Sequence, residues 1–391
     1  MVRLIKHKIQ NIKITGISSK ILSGKFGGGY YYGYKNEKII SLVKIKSGSK
    51  FGFGESLIGT YSPELYKKNI EYFASKLKSK NIFEAIKIIE SYKKNKFFFY
   101  QGFLKSILAS LEFGILSLVS NKLKISLADC INEIYFQKKQ KKNRIIQIYS
   151  SAGSVNSNLN HLKKDIRKSL GLDINIMKLR IDLSKKYEKK IEYAKKNLKK
   201  FSVDLIANSY VKNNNLQKVK KFLTHVKNKK LLWIEEVINI NNFELFSEIK
   251  NFSKLKFSYG ENLNSYFDYY NLLKKYKLNY INIDMGHCSI TDLKKIIQYL
   301  STQKTKKKII FHCWGSLINL FSTLELASLF NDYVYMVEFP IADFKLNEFF
   351  LKDCKINNSK IYLQDELKII EKKYNTYPTI NHHEKKQFFF D

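Results

Sequence analysis

Downstream of Arg144 the chain alternates short apolar runs with helical stretches, and no other feature restricts its fold as much. The runs are Ile145–Tyr149, Ile176–Ile181, Val203–Ile206, Leu231–Ile234, Phe257–Tyr259, Tyr280–Ile283, Ile309–Phe311 and Tyr335–Val337. They return at intervals of roughly 25–30 residues, one βα unit of a barrel that averages about 250 residues over eight units. Such alternation predicts parallel strands joined by crossover helices. Eight strands suffice to close on themselves. No Gly-x-Gly-x-x-Gly follows any of them, which argues against an open dinucleotide-binding sheet. The expected class is α/β, a (β/α)8-type, TIM-like barrel.

The region before the barrel has a different pattern. Ile39-Ile40-Ser41-Leu42-Val43-Lys44-Ile45 reads as a strand, preceded by a Gly- and Tyr-rich stretch from Gly27 to Gly33. That stretch lacks the strand-then-helix setting of a phosphate loop and reads as an aromatic loop. Helical periodicity runs from about Pro63 to Asn121. The division expected is an α+β domain over 1–135, the barrel over 136–340 and a C-terminal segment over 341–391.

The net charge is +36, which raises a nucleic-acid partner as a question. The lysines argue against one, because they are spread over the whole chain as solvated helix faces rather than gathered in a patch. The densest basic run, Lys138 to Arg144, reads as an exposed linker. No unbroken apolar run is long enough to span a membrane, and the charged start Met1–Lys8 does not read as a signal peptide. The four cysteines, Cys130, Cys288, Cys313 and Cys354, show no Cys-x-x-Cys spacing. A reduced, cytoplasmic protein is expected.

Chemistry in such a barrel sits at the C-terminal strand ends. There the chain carries Lys178 and Arg180, Asn208, Glu235-Glu236, Glu261, Asp284, His312 and Glu338, on the second to eighth strands in turn. Ionisable or amide groups at seven successive strand ends point to a polar active site. Strands present alternate residues to one face, so Lys178 and Arg180 lie together.

Several of these segments resemble the mandelate racemase/muconate lactonizing enzyme branch of the enolase superfamily. The segments are Leu232-Trp233-Ile234-Glu235-Glu236, Tyr259-Gly260-Glu261-Asn262-Leu263, Ile283-Asp284-Met285-Gly286 and Phe311-His312-Cys313-Trp314-Gly315-Ser316. Phe51-Gly52-Phe53-Gly54-Glu55-Ser56 resembles the Gly-x-Gly-Glu turn of that family's capping domain. The resemblance implies that residues 1–135 cap the barrel, with the C-terminal segment packing back on the cap. It also implies Mg²⁺-assisted removal of the proton next to a substrate carboxylate. A divalent ion and a lysine offset the charge that builds on that carboxylate, and hard oxygen ligands suit Mg²⁺. By resemblance, Glu235 and Glu261 are metal ligands, and Lys178 touches the substrate carboxylate. Asp284 orients the His312 imidazole that moves the proton, Glu338 bonds the substrate carboxylate and Asn208 reaches a substrate hydroxyl. A homo-oligomer and a small carboxylate or acid-sugar substrate are implied as well.

Two positions depart from the pattern. The family's first metal ligand, an Asp two residues before the Asn, falls on Ile206. Asp204 shares that strand face but lies one pleat pair deeper, roughly 6–7 Å away, and is expected not to reach. A two-residue shift would bring it up and misplace Asn208. Arg180 replaces the second Lys of the motif, and a guanidinium is a poor base. It is expected to bind a carboxylate or stabilise charge. With His312 as the only clear base, dehydration of a polyhydroxy acid is expected ahead of racemisation or cycloisomerisation. The alternative is a non-catalytic descendant that binds an anion, because Ile206 cannot hold a metal. His287 is expected on a solvent-facing loop, and His382-His383 resemble metal spacing only weakly.

Overall fold

The computed structural model describes residues 2–27, 37–57, 62–94, 102–137, 142–152, 158–183, 186–205, 216–229, 231–249, 252, 254–341, 343–344 and 354–363. Ile206, Asn208, most of the Gly-rich loop, residues 138–141 and the tail histidines lie outside the described residues.

The N-terminal part opens with helix α1 (Val2–Gln10) and an antiparallel sheet of β1 (Gly16–Gly27), β2 (Glu37–Ser47) and β3 (Lys50–Ser56). Helices α2 (Pro63–Leu77), α3 (Ile82–Lys94) and α4 (Gly102–Leu123) follow. Helix α2 buries Tyr66, Ile70, Phe73 and Leu77, one stripe at helical spacing. Helix α4 has no such stripe, because every residue from Lys105 to Ser120 is buried. By length and composition it is apolar enough to cross a membrane. Here it is a core helix, with the sheet on one side and the barrel on the other.

The Gly-x-Gly of β3 makes that packing possible. A Cβ at Gly54 would lie 1.8 Å from the Ser110 carbonyl oxygen, and one at Gly52 would lie 2.0 Å from the Leu118 nitrogen. Only glycine lets the α4 backbone approach β3 so closely. On its other side α4 latches the barrel loops. Lys105 Nζ donates to the Asn264 carbonyl at 2.8 Å, and Ser106 Oγ to the Gly286 carbonyl at 2.6 Å.

The barrel is closed and parallel. Its strands are β4 (Ile145–Ala152), β5 (Ile176–Arg180), β6 (Lys200–Asp204), β7 (Ile234–Glu235), β8 (Phe257–Tyr259), β9 (Tyr280–Asp284), β10 (Ile309–His312) and β11 (Val334–Pro340). Each pairs with the next, and β11 returns to β4 with Glu338 beside Tyr149. After the barrel, β12 (Asp343–Phe344) joins β1 of the N-terminal sheet. The hairpin of β13 (Lys355–Asn357) and β14 (Lys360–Tyr362) pairs with the start of β4. The end of the basic run expected to be an exposed linker is instead tied down. Lys142 Nζ pairs with Asp129 at 2.6 Å, and Arg144 with Glu325 at 2.6 Å.

The barrel interior is layered. Tyr149, Ile176, Trp233, Tyr280, Ile310 and Met336 pack into an apolar floor of their own. Side chains two residues further along a strand point the same way, one layer higher. Those residues include Lys178, Glu235, His312 and Glu338, with Asp284 four beyond Tyr280. The strand period therefore carries charge directly above an aromatic and aliphatic base.

Candidate active site

Cross-strand register brings the charged side chains together. Arg180 lies beside Asp204, Asp204 beside Glu235, and His312 beside Asp284. Glu261 follows Gly260, whose φ of +118° turns the chain at the end of β8. A Cβ at Gly260 would meet the Tyr269 ring at 2.9 Å, so glycine is required there on both counts.

One oxygen each of Asp204, Glu235 and Glu261 lies within 4.8 Å of the other two, and all three residues are buried. This corrects the expectation for the third strand. Spacing alone put Asp204 a pleat pair too deep and left Ile206 at the ligand position. The paired register of Asp204 with Glu235 sets its height level with the other carboxylates. The third strand thus places a carboxylate among the candidate ligands through Asp204, while Ile206 itself lies outside the described residues.

Lys178 stands among these acids, fully buried. Its Nζ is 2.7 Å from Glu235 Oε1, 3.5 Å from Glu338 Oε2 and 3.6 Å from Asp204 Oδ2. The Arg180 guanidinium carbon lies over the Trp314 ring, 4.4 Å from its centroid, with Nε 3.3 Å from Asp204 Oδ2. On the opposite wall His312 Nδ1 is 2.6 Å from Asp284 Oδ2. Its Nε2 faces Glu261 at 3.4 Å and Glu338 at 3.6 Å.

A family model described as enolase C-terminal domain-like matches residues 164–367, more than half of the chain and seven of its eight barrel strands. The chain belongs to this family. Solved structures share the fold across nearly the full length of this enolase-like chain. A 3,6-anhydro-D-galactonate cycloisomerase from Zobellia galactanivorans is 15% identical, with TM-score 0.73 over 90% of this chain and 94% of that one. A mandelate racemase/muconate lactonizing enzyme from Bordetella bronchiseptica RB50 is 14% identical, with TM-score 0.71 over 90% and 94%. An enolase from the alpha proteobacterium bal199, solved with bound Mg, is 10% identical, with TM-score 0.71 over 91% and 95%. No curated protein matches by sequence.

The floor of the enolase-like barrel supports its charged layer through two donors that the strand-end pattern did not reveal. Trp233 Nε1 donates to Glu235 Oε2 at 3.1 Å, and the Tyr149 hydroxyl to Glu338 Oε2 at 3.3 Å. The available signal was an aromatic residue two positions before a strand-end carboxylate, as in Trp233-Ile234-Glu235. The cap contributes as well. Glu55, which ends the Gly-x-Gly-Glu segment and lies in strand β3 rather than in a turn, accepts from the Ser316 and Asn319 backbone N–H groups at 2.8 and 3.1 Å. It thereby caps helix α5 (Leu317–Leu329), which follows the His312 loop. His287, expected at the solvent, is buried, with Nε2 3.1 Å from the Leu263 carbonyl. The cap helix α4 covers the loops that hold it.

The electrostatics follow from the crowding. Burial disfavours a charged His312, but Glu338, Glu261 and the Asp284 hydrogen bond outweigh it and raise the ring to about 10. Burial, with Asp204 and Glu235 nearby and His312 and Lys178 opposing, pushes the Glu261 carboxyl up to about 8. Burial works against an ionised Glu338, yet Lys178 and His312 hold it down at about 2. Glu236 accepts the Gly260 N–H at 2.9 Å, and burial beside Glu261 drives its carboxyl well above the usual range.

A divalent cation fits this donor set. Five buried carboxyl groups, Asp204, Glu235, Glu261, Asp284 and Glu338, face three cationic groups, Lys178, Arg180 and His312. Glu261 Oε2 accepts no hydrogen bond among the described residues. Hard carboxylate oxygens from three adjacent strands are the donors Mg²⁺ prefers.

Proposed function

We propose that the protein is an Mg²⁺-dependent enzyme that removes the proton next to a carboxylate and completes the reaction as a dehydration of a polyhydroxy (sugar) acid. The observation that carries this reading is the convergence of Asp204, Glu235 and Glu261 across from the Asp284–His312 pair. Those three carboxylates would hold the ion, which would supply positive charge to stabilise the substrate carboxylate as its proton leaves.

The chain's own groups divide the remaining work. Lys178 offers an ammonium to the substrate carboxylate, to which Glu338 donates a hydrogen bond only in its protonated form. Asp284 fixes the Nδ1–H side of His312, so that Nε2 is the atom that takes the C2 proton. The field raising His312 comes from Glu338 and Glu261. Glu261 is one of the three acids that would hold the ion, and a positive charge there would oppose the rise of the ring. Electrons of the broken C2–H bond form the C2–C3 double bond as the C3–oxygen bond breaks. His312 returns its proton to the departing hydroxyl, water leaves, and the resulting enol becomes a 2-keto acid. Arg180, over the Trp314 ring, stays charged and takes no proton. Without a base on the second face, racemisation is disfavoured. All four cysteines are free, which supports the cytoplasmic assignment.

The test is to incubate the purified protein with Mg²⁺ and a panel of polyhydroxy acids in D₂O. A 2-keto product that semicarbazide traps, formed only with the metal, is the expected result. Failure to bind Mg²⁺ at millimolar concentration by calorimetry overturns the reading.

A further inference from the structure

We propose that Lys178 is a built-in counter-ion that competes with the divalent cation for Glu235, and that a substrate carboxylate relieves this competition. The inference rests on the metal reading above and adds a coupling between metal and substrate.

Lys178 Nζ is hydrogen-bonded to Glu235 Oε1 at 2.7 Å, and Glu235 is one of the three acids whose oxygens converge. The same Nζ lies 3.6 Å from Asp204, a second of the three. Lys178 is fully buried, so no water offsets its charge. A buried ammonium and a buried carboxylate stabilise one another strongly once each has lost its water. An arriving ion therefore finds its central ligand already engaged. The other oxygen of Glu235, Oε2, accepts from Trp233 Nε1 at 3.1 Å, so the ion meets no uncommitted oxygen there, and its charge beside Oε1 would repel the ammonium. Glu338 Oε2, 3.5 Å away, is the acceptor within reach, but it already receives Tyr149 and the Cys313 N–H. A substrate carboxylate is a second acceptor for the ammonium. Binding of the acid thus frees Glu235 for the ion, and binding of the ion frees Lys178 for the acid. Linkage requires each to tighten the other by the same factor.

The experiment is Mg²⁺ titration by calorimetry and by thermal shift on the full chain, for the native protein and for Lys178→Met. The variant is expected to bind Mg²⁺ about tenfold or more tightly, the worth of one charge-assisted hydrogen bond. Its metal-free form is expected to melt lower and to gain more from Mg²⁺ than the native protein does. A merely structural lysine would lower the melting temperature without tightening the metal. If the native protein binds Mg²⁺ and Lys178→Met binds it equally or more weakly, the counter-ion role is wrong and the metal reading stands. If the native protein binds no Mg²⁺, both fall. Should Lys178→Met fail to fold, nitrogen-15 lysine spectra of the native protein decide. One side-chain ammonium signal should be protected without metal and should shift on Mg²⁺ saturation. A protected signal that Mg²⁺ leaves unmoved overturns the proposal.

Discussion

Two layers of one barrel interior, a single strand period apart, do opposite things. The lower layer, Tyr149, Ile176, Trp233, Tyr280, Ile310 and Met336, is apolar and close-packed. The upper layer gathers Lys178, Asp204, Glu235, Asp284, His312 and Glu338, with Glu261 at its rim, all of them buried. The lower layer supplies stability through burial, at about 25 cal/mol for each Å² of apolar surface removed from water. The upper layer is costly, since each buried charge loses its hydration and regains only what its partners return. The layers meet at Trp233 and Tyr149, whose N–H and O–H fix the carboxylates above them. Stability and chemistry are thus separated by height along the strands, so substitutions in the two layers should separate them too.

The sharpest contrast is expected at His312. His312→Asn should reduce turnover of whichever acid the protein accepts by roughly 10²–10⁴, the range for loss of a general acid–base group. Compared at saturating Mg²⁺, whose charge would offset the one His312 supplies to Glu261 and Glu338, melting temperature should change little, because the amide can still bond Asp284. An equal loss of stability and of activity would break the separation of layers.

Next in size is the cap. Gly54→Ala forces a Cβ to within 1.8 Å of the Ser110 carbonyl oxygen, so helix α4 has to move. Overpacking of this kind costs about 1–3 kcal/mol or more. Since α4 also holds the loops after β8 and β9, activity should fall with stability. Urea unfolding checks the first effect and steady-state rates the second.

In the floor, Trp233→Phe removes the donor to Glu235 and part of the ring that packs against Tyr149 at 5.1 Å. A loss of about 1–3 kcal/mol is expected from the unsatisfied carboxylate, read by urea unfolding. The smallest effect should carry the opposite sign. Burial already disfavours the charged form of Glu261. Glu261→Gln should therefore raise metal-free stability by about 1 kcal/mol, as replacement of strained buried charges often does, while abolishing the thermal shift caused by Mg²⁺. A stability loss in that variant would mean that the upper layer is better solvated than its burial implies.

Most of this was legible from the chain. Eight apolar runs with intervening helices gave the closed barrel. Alternation within the strands named the inward face that carries Lys178, Glu235 and Glu338. What alternation cannot give is height. A period of two tells which face a residue joins, but position along the barrel axis depends on how neighbouring strands are staggered. Counting back from Asn208 therefore put Ile206 at the ligand position and left Asp204 too deep, whereas pairing with Glu235 lifts Asp204 into the cluster. The burial of His287 escaped notice for a related reason: it depends on helix α4, more than 160 residues earlier in the chain.

The site stands or falls on Asp204. Crystals grown with Mn²⁺ in place of Mg²⁺ would locate the ion by its anomalous scattering. The account expects one peak bounded by Asp204, Glu235 and Glu261, at about 2.0–2.6 Å from an oxygen of each. A peak coordinated without Asp204, or no peak at a saturating concentration of the ion, would contradict it.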